Sequence, residues 1–183
     1  MHKSSGRKMK SLIAIILVVI INSCSQKHRN EPEINMINGS AFNFFKVTSG
    51  IPIYISASET NITSAFGNPA LMKPGISQAN EQHNSQWIYK GAILKLQSGR
   101  MINIDLNTPA FAFDFNGFVV KVGEDIEKLK NIFPASFSAR SSNHMVVGLH
   151  FNGEPIDSRI SFAFNGKNRI TSISLIKLST ESL

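Results

Sequence analysis

The chain has 183 residues, of which 42% are hydrophobic, and its mean hydropathy is −0.02. This length accommodates a targeting segment and one compact body, and the composition excludes a disordered chain and a membrane protein with many spans. The formal charge of +7 does not indicate nucleic-acid binding, because four of the 19 Lys and Arg residues precede Cys24. The remainder carries only +3, from 15 Lys and Arg against 12 Asp and Glu. The single cysteine excludes an internal disulfide and a cysteine-based metal site.

The first 23 residues have the pattern of an export signal. Residues 1–10 are basic, and residues 12–21 form an unbroken apolar run. Ten helical residues span about 15 Å, half of the roughly 30 Å hydrocarbon core of a bilayer, so the run predicts the apolar region of a signal peptide. The alternative is an uncleaved short anchor with a buried cysteine.

The residues Ile21-Asn22-Ser23-Cys24 resemble the lipobox of bacterial lipoproteins. The resemblance implies that residues 1–23 are removed and that Cys24 is the lipidation site. It also implies a bacterial cell-envelope protein anchored to a membrane by lipid, and it leaves open whether the protein is on the periplasmic or the surface side. Residues 24–40 are polar and contain Pro32 and Gly39, so they predict a tether between the lipid and the folded part.

Two stretches of the remaining chain look alike at an offset of about 67 residues. Residues 51–66 and 118–133 each begin with alternating apolar positions and continue with helical spacing. Ser58 is a candidate N-cap of the first helix, and Pro134 is expected to end the second. Strand-like segments follow in both halves, and Asn-Gly pairs indicate tight hairpins. The sequence therefore predicts an α+β fold of two tandem strand-helix-antiparallel meander repeats, residues 41–110 and 111–183, with the helices packed on one face of antiparallel sheet.

This arrangement resembles the β-lactamase inhibitor protein fold and, for a single copy, the small outer-membrane lipoproteins of the barrel-assembly machinery. The resemblance is carried by Ile53-Tyr-Ile-Ser with Phe66-Gly-Asn-Pro69, by Val120-Lys-Val-Gly123 with Ile132-Phe-Pro134, and by the closing hairpins. It covers about residues 51–175. It implies a fold with a non-catalytic binding, inhibitory or assembly role, although a fold does not determine a function.

The sequence contains no recognisable catalytic or cofactor motif. The histidines have no metal-ligand spacing, and neither a nucleophile elbow nor a phosphate loop occurs. The acidic cluster Glu124, Asp125 and Glu127 is typical of the solvated face of a helix. We therefore expect no catalytic residue, no metal and no cofactor. The alternative is a hydrolase or a small-ligand-binding envelope protein with an unrecognised site.

The most informative candidate for a binding surface is the long polar segment 70–86. Long loops in compact domains are often functional, and Trp87 and Tyr89 follow this one at strand spacing. We predict a protein-binding surface that includes Trp87 or Tyr89, with Arg140 as a further candidate, because aromatic residues and arginine dominate interfaces. The alternative is that both aromatics belong to the core. The expected partners are a membrane, through the lipid, and another envelope protein; the oligomeric state is left open.

Overall fold

The structure is a computed structural model that describes residues 33–75 and 84–177. The chain divides into two units, residues 1–32 and residues 33–183. The predicted signal peptide and Cys24 lie outside the described residues. Within the described part, no helix is long and apolar enough to cross a membrane.

The described residues form twelve strands, two short α-helices and one 3-10 helix. In chain order these are β1 (Met36–Asn38), β2 (Phe42–Lys46), β3 (Pro52–Ile53), α1 (Glu59–Phe66), β4 (Leu71–Pro74), β5 (Asn84–Tyr89), β6 (Ala92–Gln97), β7 (Arg100–Leu106), β8 (Phe111–Phe115), β9 (Phe118–Lys121), the 3-10 helix (Ile126–Leu129), α2 (Pro134–Ser138), β10 (His144–Phe151), β11 (Glu154–Phe164) and β12 (Ile170–Lys177).

The strands make two sheets. The large sheet has eight strands in the order β1-β10-β11-β12-β7-β6-β5-β4, and the small sheet has four in the order β3-β2-β8-β9. All neighbours are antiparallel except β1, which runs parallel to β10. Two Asn-Gly pairs close hairpins as the sequence predicts: Asn116-Gly117 joins β8 to β9, and Asn152-Gly153 joins β10 to β11. All four residues have positive φ, the backbone conformation that a tight two-residue turn requires.

An aromatic layer from the small sheet lies against the large sheet. Phe44 pairs with Phe113 across β2 and β8, and both side chains are fully buried. The ring of Phe115 lies 6.2 Å from that of Phe162 on β11, and the ring of Phe111 lies 6.3 Å from that of Tyr89 on β5. One face of the eight-stranded sheet therefore supplies half of the core, and alternation along its strands places the intervening side chains on the opposite face.

The first predicted helix forms as α1. Ser58 is its N-cap and accepts a hydrogen bond from the backbone N–H of Asn61, at 3.3 Å. Ile62, Ala65 and Phe66 are its buried residues, and the helix ends at Gly67, whose φ is 79°.

The second predicted helix is replaced by a 3-10 turn and a separate short helix. The backbone N–H of Ile126 donates to Asn168, and that of Ile170 donates to Glu124, so the chain before the 3-10 helix is bound to the start of β12. Pro134 begins α2 as its first residue, where its missing N–H has no helical partner to lose. The prediction that Pro134 ends a helix is therefore wrong.

The predicted fold class is wrong. The described part of the chain is mostly β, with one large mixed sheet and two α-helices, in place of tandem strand-helix-meander repeats with helices on one face of a sheet. The α-helices have eight and five residues, and they pack at different places, α1 against β2 and β3 and α2 against β10. Helices this short cover too little surface to form a layer over an eight-stranded sheet.

The strand β1 lies within the segment predicted as a tether. Asn35, just before it, exchanges two hydrogen bonds with Ser136 at the start of α2: the Asn35 N–H donates to Ser136 Oγ at 2.9 Å, and the Ser136 N–H donates to Asn35 Oδ1 at 3.0 Å. Residues 35–38 are thus part of the folded unit.

Candidate functional site

Trp87 is buried in the core, with 4% of its surface exposed. It lies on β5 opposite Met72 of β4 on one side and Leu94 of β6 on the other. Its indole Nε1 is also buried and has no hydrogen-bond partner within the described residues. Trp87 therefore lies in the core, which was the alternative prediction from the sequence. Its ring is not exposed as an anchor for a partner.

Tyr89 is also part of the core, with 7% of its surface exposed. Its hydroxyl donates to the carbonyl oxygen of Gly67 at 3.1 Å, and its ring meets Phe66 edge-on at 5.8 Å. Burial raises the pKa of Tyr89 from 10.0 to about 12. These contacts connect β5 to the end of α1.

Arg140 follows α2, and its guanidinium contacts nearby residues of the same chain. Its guanidinium lies over the ring of Phe137 at 3.5 Å and donates from Nη1 to the Phe137 carbonyl at 2.6 Å. Nη2 also lies 3.8 Å from Glu127 Oε1. Its part in partner binding stays a prediction, as do those of Trp87 and Tyr89.

The segment 70–86 is only partly a loop. Residues 71–74 form the edge strand β4, which pairs with β5, and residues 76–83 lie outside the described part of the chain. Leu71 and Met72 on this edge are large apolar residues with 48% and 58% of their surfaces exposed. An exposed apolar edge strand is a potential site of association.

The described residues contain one hydrogen-bonded serine–histidine pair. His144 Nε2 lies 2.5 Å from Ser161 Oγ, across the adjacent strands β10 and β11. Ser161 lies within a regular antiparallel ladder with β10 on one side and β12 on the other, so the local backbone N–H groups are used within the sheet. Nothing on this stretch of strand resembles the paired free N–H groups of an oxyanion hole, and no described carboxylate bonds the other ring nitrogen of His144. The pair fits a structural hydrogen bond better than an activated nucleophile.

No group of three or more His, Cys, Asp or Glu residues that could hold a metal ion occurs within residues 33–75 and 84–177.

The large sheet has a second face, which we call the outer face: the side chains that point away from the small sheet. Because Trp87 and Tyr89 of β5 point into the core, Gln86 and Ile88 point to the outer face. Ile93 and Lys95 of β6 alternate in the same way with the buried Leu94 and Leu96. None of the described helices packs on this face.

Two rows of side chains cross three strands of the outer face. In the first, which we call the apolar row, Leu71 is opposite Ile88 and Ile88 is opposite Ile93. In the second, the cationic row, Lys73 is opposite Gln86 and Gln86 is opposite Lys95. The rows are two residues apart along each strand, about 7 Å, and neighbouring strands are about 4.8 Å apart. An apolar and a positively charged strip thus lie side by side.

Sequence reasoning did not identify these two rows. One signal was present, because Ile93 interrupts the alternation of β6 with an apolar residue on the face opposite Leu94. The alignment of Lys73 with Lys95 depends on the register of β4, β5 and β6, which the sequence does not encode locally.

Comparisons with known proteins do not place the chain in a family. No protein-family model matches it, and no curated protein matches its sequence. Among solved structures, it is similar to the crystal structure of an extracellular protein containing a SCP domain from Bacillus anthracis str. Ames, with a TM-score of 0.43 and 10% sequence identity. The match covers 67% of this chain and 44% of that chain, so it spans less than half of that protein. This similarity is too low to establish a shared fold.

Proposed function

We propose that the protein is an exported lipoprotein, anchored through Cys24, whose folded unit is a non-catalytic module that binds another protein of the cell envelope. The anchor is supported by the basic start, the ten-residue apolar run and the sequence Ile21-Asn22-Ser23-Cys24. Two or three acyl chains on one cysteine would give stable attachment, whereas a single chain would be marginal.

The observation that carries the binding role is the outer face, on which none of the described helices packs. Seven spacings of about 4.8 Å make this face about 34 Å wide, and a strand of about five or six residues is about 17–20 Å long. Its area is on the order of 600 Å², close to the roughly 800 Å² that each partner contributes to a standard interface.

The composition of the outer face also favours a protein partner. Next to the apolar row, the side chains aligned across β7, β12, β11 and β10 are Asp105, Ser174, Ser161 and Val146, of which Ser161 is buried beside His144. Small polar groups beside isolated apolar residues leave a flat surface that a second protein surface can approach closely. Interfaces of separately folding proteins have this mixed character.

The anchor is tested on the protein isolated from bacterial membranes. We expect intact-mass measurement to show an acylated N-terminus at Cys24, and Cys24→Ala to remain uncleaved at full length, because the thiol is the acyl acceptor. A wild-type N-terminus that still begins at Met1 would contradict the anchor.

The binding role is tested by site-specific photocrosslinking in intact cells. A photoreactive residue at position 93, on the outer face, is expected to give a discrete protein adduct. The matched control places it at Lys167, which is exposed in the turn between β11 and β12. Equal adducts at both positions, or none at position 93, would contradict binding through the outer face.

A further inference from the structure

The cationic row carries positive charge that none of the described residues neutralises with an ion pair. The described residues contain two salt bridges, Lys128 with Glu124 and Arg140 with Glu127, and neither involves Lys73 or Lys95. No hydrogen bond of either lysine side chain occurs within the described residues. Asp105, the carboxylate next to Ile93 on the same face, makes no ion pair with Lys95.

A groove of about 450 Å³ runs along this row. Lys73, Gln86 and Lys95 line it together with the apolar residues Pro74, Leu96 and Ile102. The groove thus combines two cations for anionic groups with apolar lining.

The apolar row lies beside the cationic row, two residues away along each strand, and its members do not line the groove itself. Leu71, at the end of this row, is a large apolar residue with half of its surface exposed. A ligand that extends from the groove over this row meets apolar side chains beside the two ammonium groups. This pattern fits a ligand with carboxylates next to apolar groups, which is the chemistry of an acidic polypeptide segment.

We propose that the corner of the outer face formed by β4, β5 and β6 binds an acidic segment of a partner protein, with carboxylates on Lys73 and Lys95 and apolar side chains on Leu71, Ile88 and Ile93. This inference rests on the proposed function, because it names the partner chemistry of the same face. The lysine Cα atoms are about 10 Å apart, two strand spacings, so carboxylates that contact both lysines come from residues spaced along the segment.

An anionic membrane is the competing source of negative charge, and the structure favours the polypeptide. Recognition of anionic lipid by surface charge uses clusters of about four to eight basic residues. The cationic row has two, separated by Gln86.

The test uses the full chain in non-ionic detergent and two labelled peptides, one alternating valine with glutamate and one alternating valine with lysine. We expect the wild-type protein to bind the glutamate peptide in preference, with an affinity that falls as salt screens the charges. The double variant Lys73→Glu/Lys95→Glu should bind it roughly ten-fold more weakly and should prefer the lysine peptide, because charge complementarity determines the choice of partner. Emission from Trp87, the only tryptophan, reports whether each variant has kept the buried core around β5.

The control is Lys130→Glu/Lys167→Glu, which makes the same change in net charge at two exposed lysines outside the described groove. It should leave peptide preference unchanged. Equal loss in both double variants, or no preference in the wild type, would overturn the proposal while leaving the position-93 adduct intact. Vesicles of phosphatidylglycerol provide the last measurement: if they bind through Lys73 and Lys95 and the glutamate peptide does not, the site is for lipid and the proposal fails. Loss of the adduct itself would instead remove the proposed function.

Discussion

Tyr89 shows how a single side chain can tie two elements together. Its ring packs between Phe66 and Phe111, and its hydroxyl reaches the Gly67 carbonyl at the end of α1. A helix of eight residues has little stability alone. The hydrogen bond from Tyr89 to the end of α1 therefore helps to keep this helix folded. The burial that makes this contact possible also keeps the phenol protonated to high pH.

Replacing Tyr89 with Phe should reduce the free energy of unfolding by about 1 kcal/mol below pH 10, because the Gly67 carbonyl loses its donor. The pKa of Tyr89 is raised from 10.0 to about 12, so at pH values between these the folded state keeps a proton that the unfolded state has lost. Stability contributed by this proton is complete below pH 10 and is lost as the pH rises towards 12. Denaturant titrations of both proteins across this range should show a steeper decline for the wild type. Parallel declines would show that Tyr89 does not titrate in this way.

Ser58 is a second residue whose role can be isolated. Its Oγ accepts from the Asn61 N–H at the first turn of α1, so Ser58→Ala should lower the free energy of unfolding by about 1 kcal/mol. Ser64, exposed within the same helix, is the matched control. Ser64→Ala should leave stability unchanged or raise it slightly, since alanine is the better helix former. Chemical denaturation measures both, and equal losses would contradict the capping role.

At the scale of elements, the sequence predicted the strands better than the helices. Two of the strand-like segments expected after the first helix form β6 and β7, because alternating apolar residues there are enclosed by turn residues. Residues 124–133 have helical spacing but do not form one α-helix. The Ile126 N–H donates to Asn168 and the Ile170 N–H donates to Glu124, so this stretch is bonded to the start of β12. β4 was missed because its four residues include Pro74 and do not alternate, and β1 because its pairing with β10 is more than 100 residues away in sequence. Distant pairing of this kind leaves no local signal.

The position of β1 depends on few contacts, so it can be tested separately. Asn35→Ala removes the side-chain Oδ1 that accepts from the Ser136 N–H, which then stays buried without a partner, and it keeps the bond from the backbone N–H of residue 35 to Ser136 Oγ. We expect a loss of about 1–3 kcal/mol in the free energy of unfolding. The N–H of Gly148, which donates to the Asn35 carbonyl at 2.9 Å, should also exchange faster with solvent.

Asn107→Ala is the control for this prediction, since Asn107 is an exposed asparagine outside the strands. If Gly148 exchanges at the same rate in Asn35→Ala as in the control, β1 is not held by the bond from the Ser136 N–H to the Asn35 side chain.

For the whole molecule, the two faces of the eight-stranded sheet have different roles. One face packs against the aromatic layer of the small sheet, and the other carries the apolar and cationic rows. Antiparallel sheets commonly have one packed and one solvated face. The sequence of each strand then alternates apolar and polar residues. The sequence could predict the packed face from that alternation. It could not show which exposed residues align across strands, so the candidate site required the register.

Adjacent residues on β6 provide a matched test of this difference between the faces. Leu94 is fully buried, whereas Ile93 lies on the outer face with part of its surface accessible. Leu94→Ala should cost about 2–5 kcal/mol in the free energy of unfolding, because it removes core contacts and leaves a cavity. Ile93→Ala removes a side chain of similar size from the same strand, and we expect it to cost less than about 1.5 kcal/mol, since most of the cavity would be open to water. Denaturant unfolding of the wild type and the two single variants measures both losses in the free energy of unfolding. Equal costs would mean that the outer face is covered in solution, and the face could then not serve a partner protein. A small cost at Ile93, together with weaker binding of the glutamate peptide by Ile93→Ala, would show that this isoleucine serves association rather than folding.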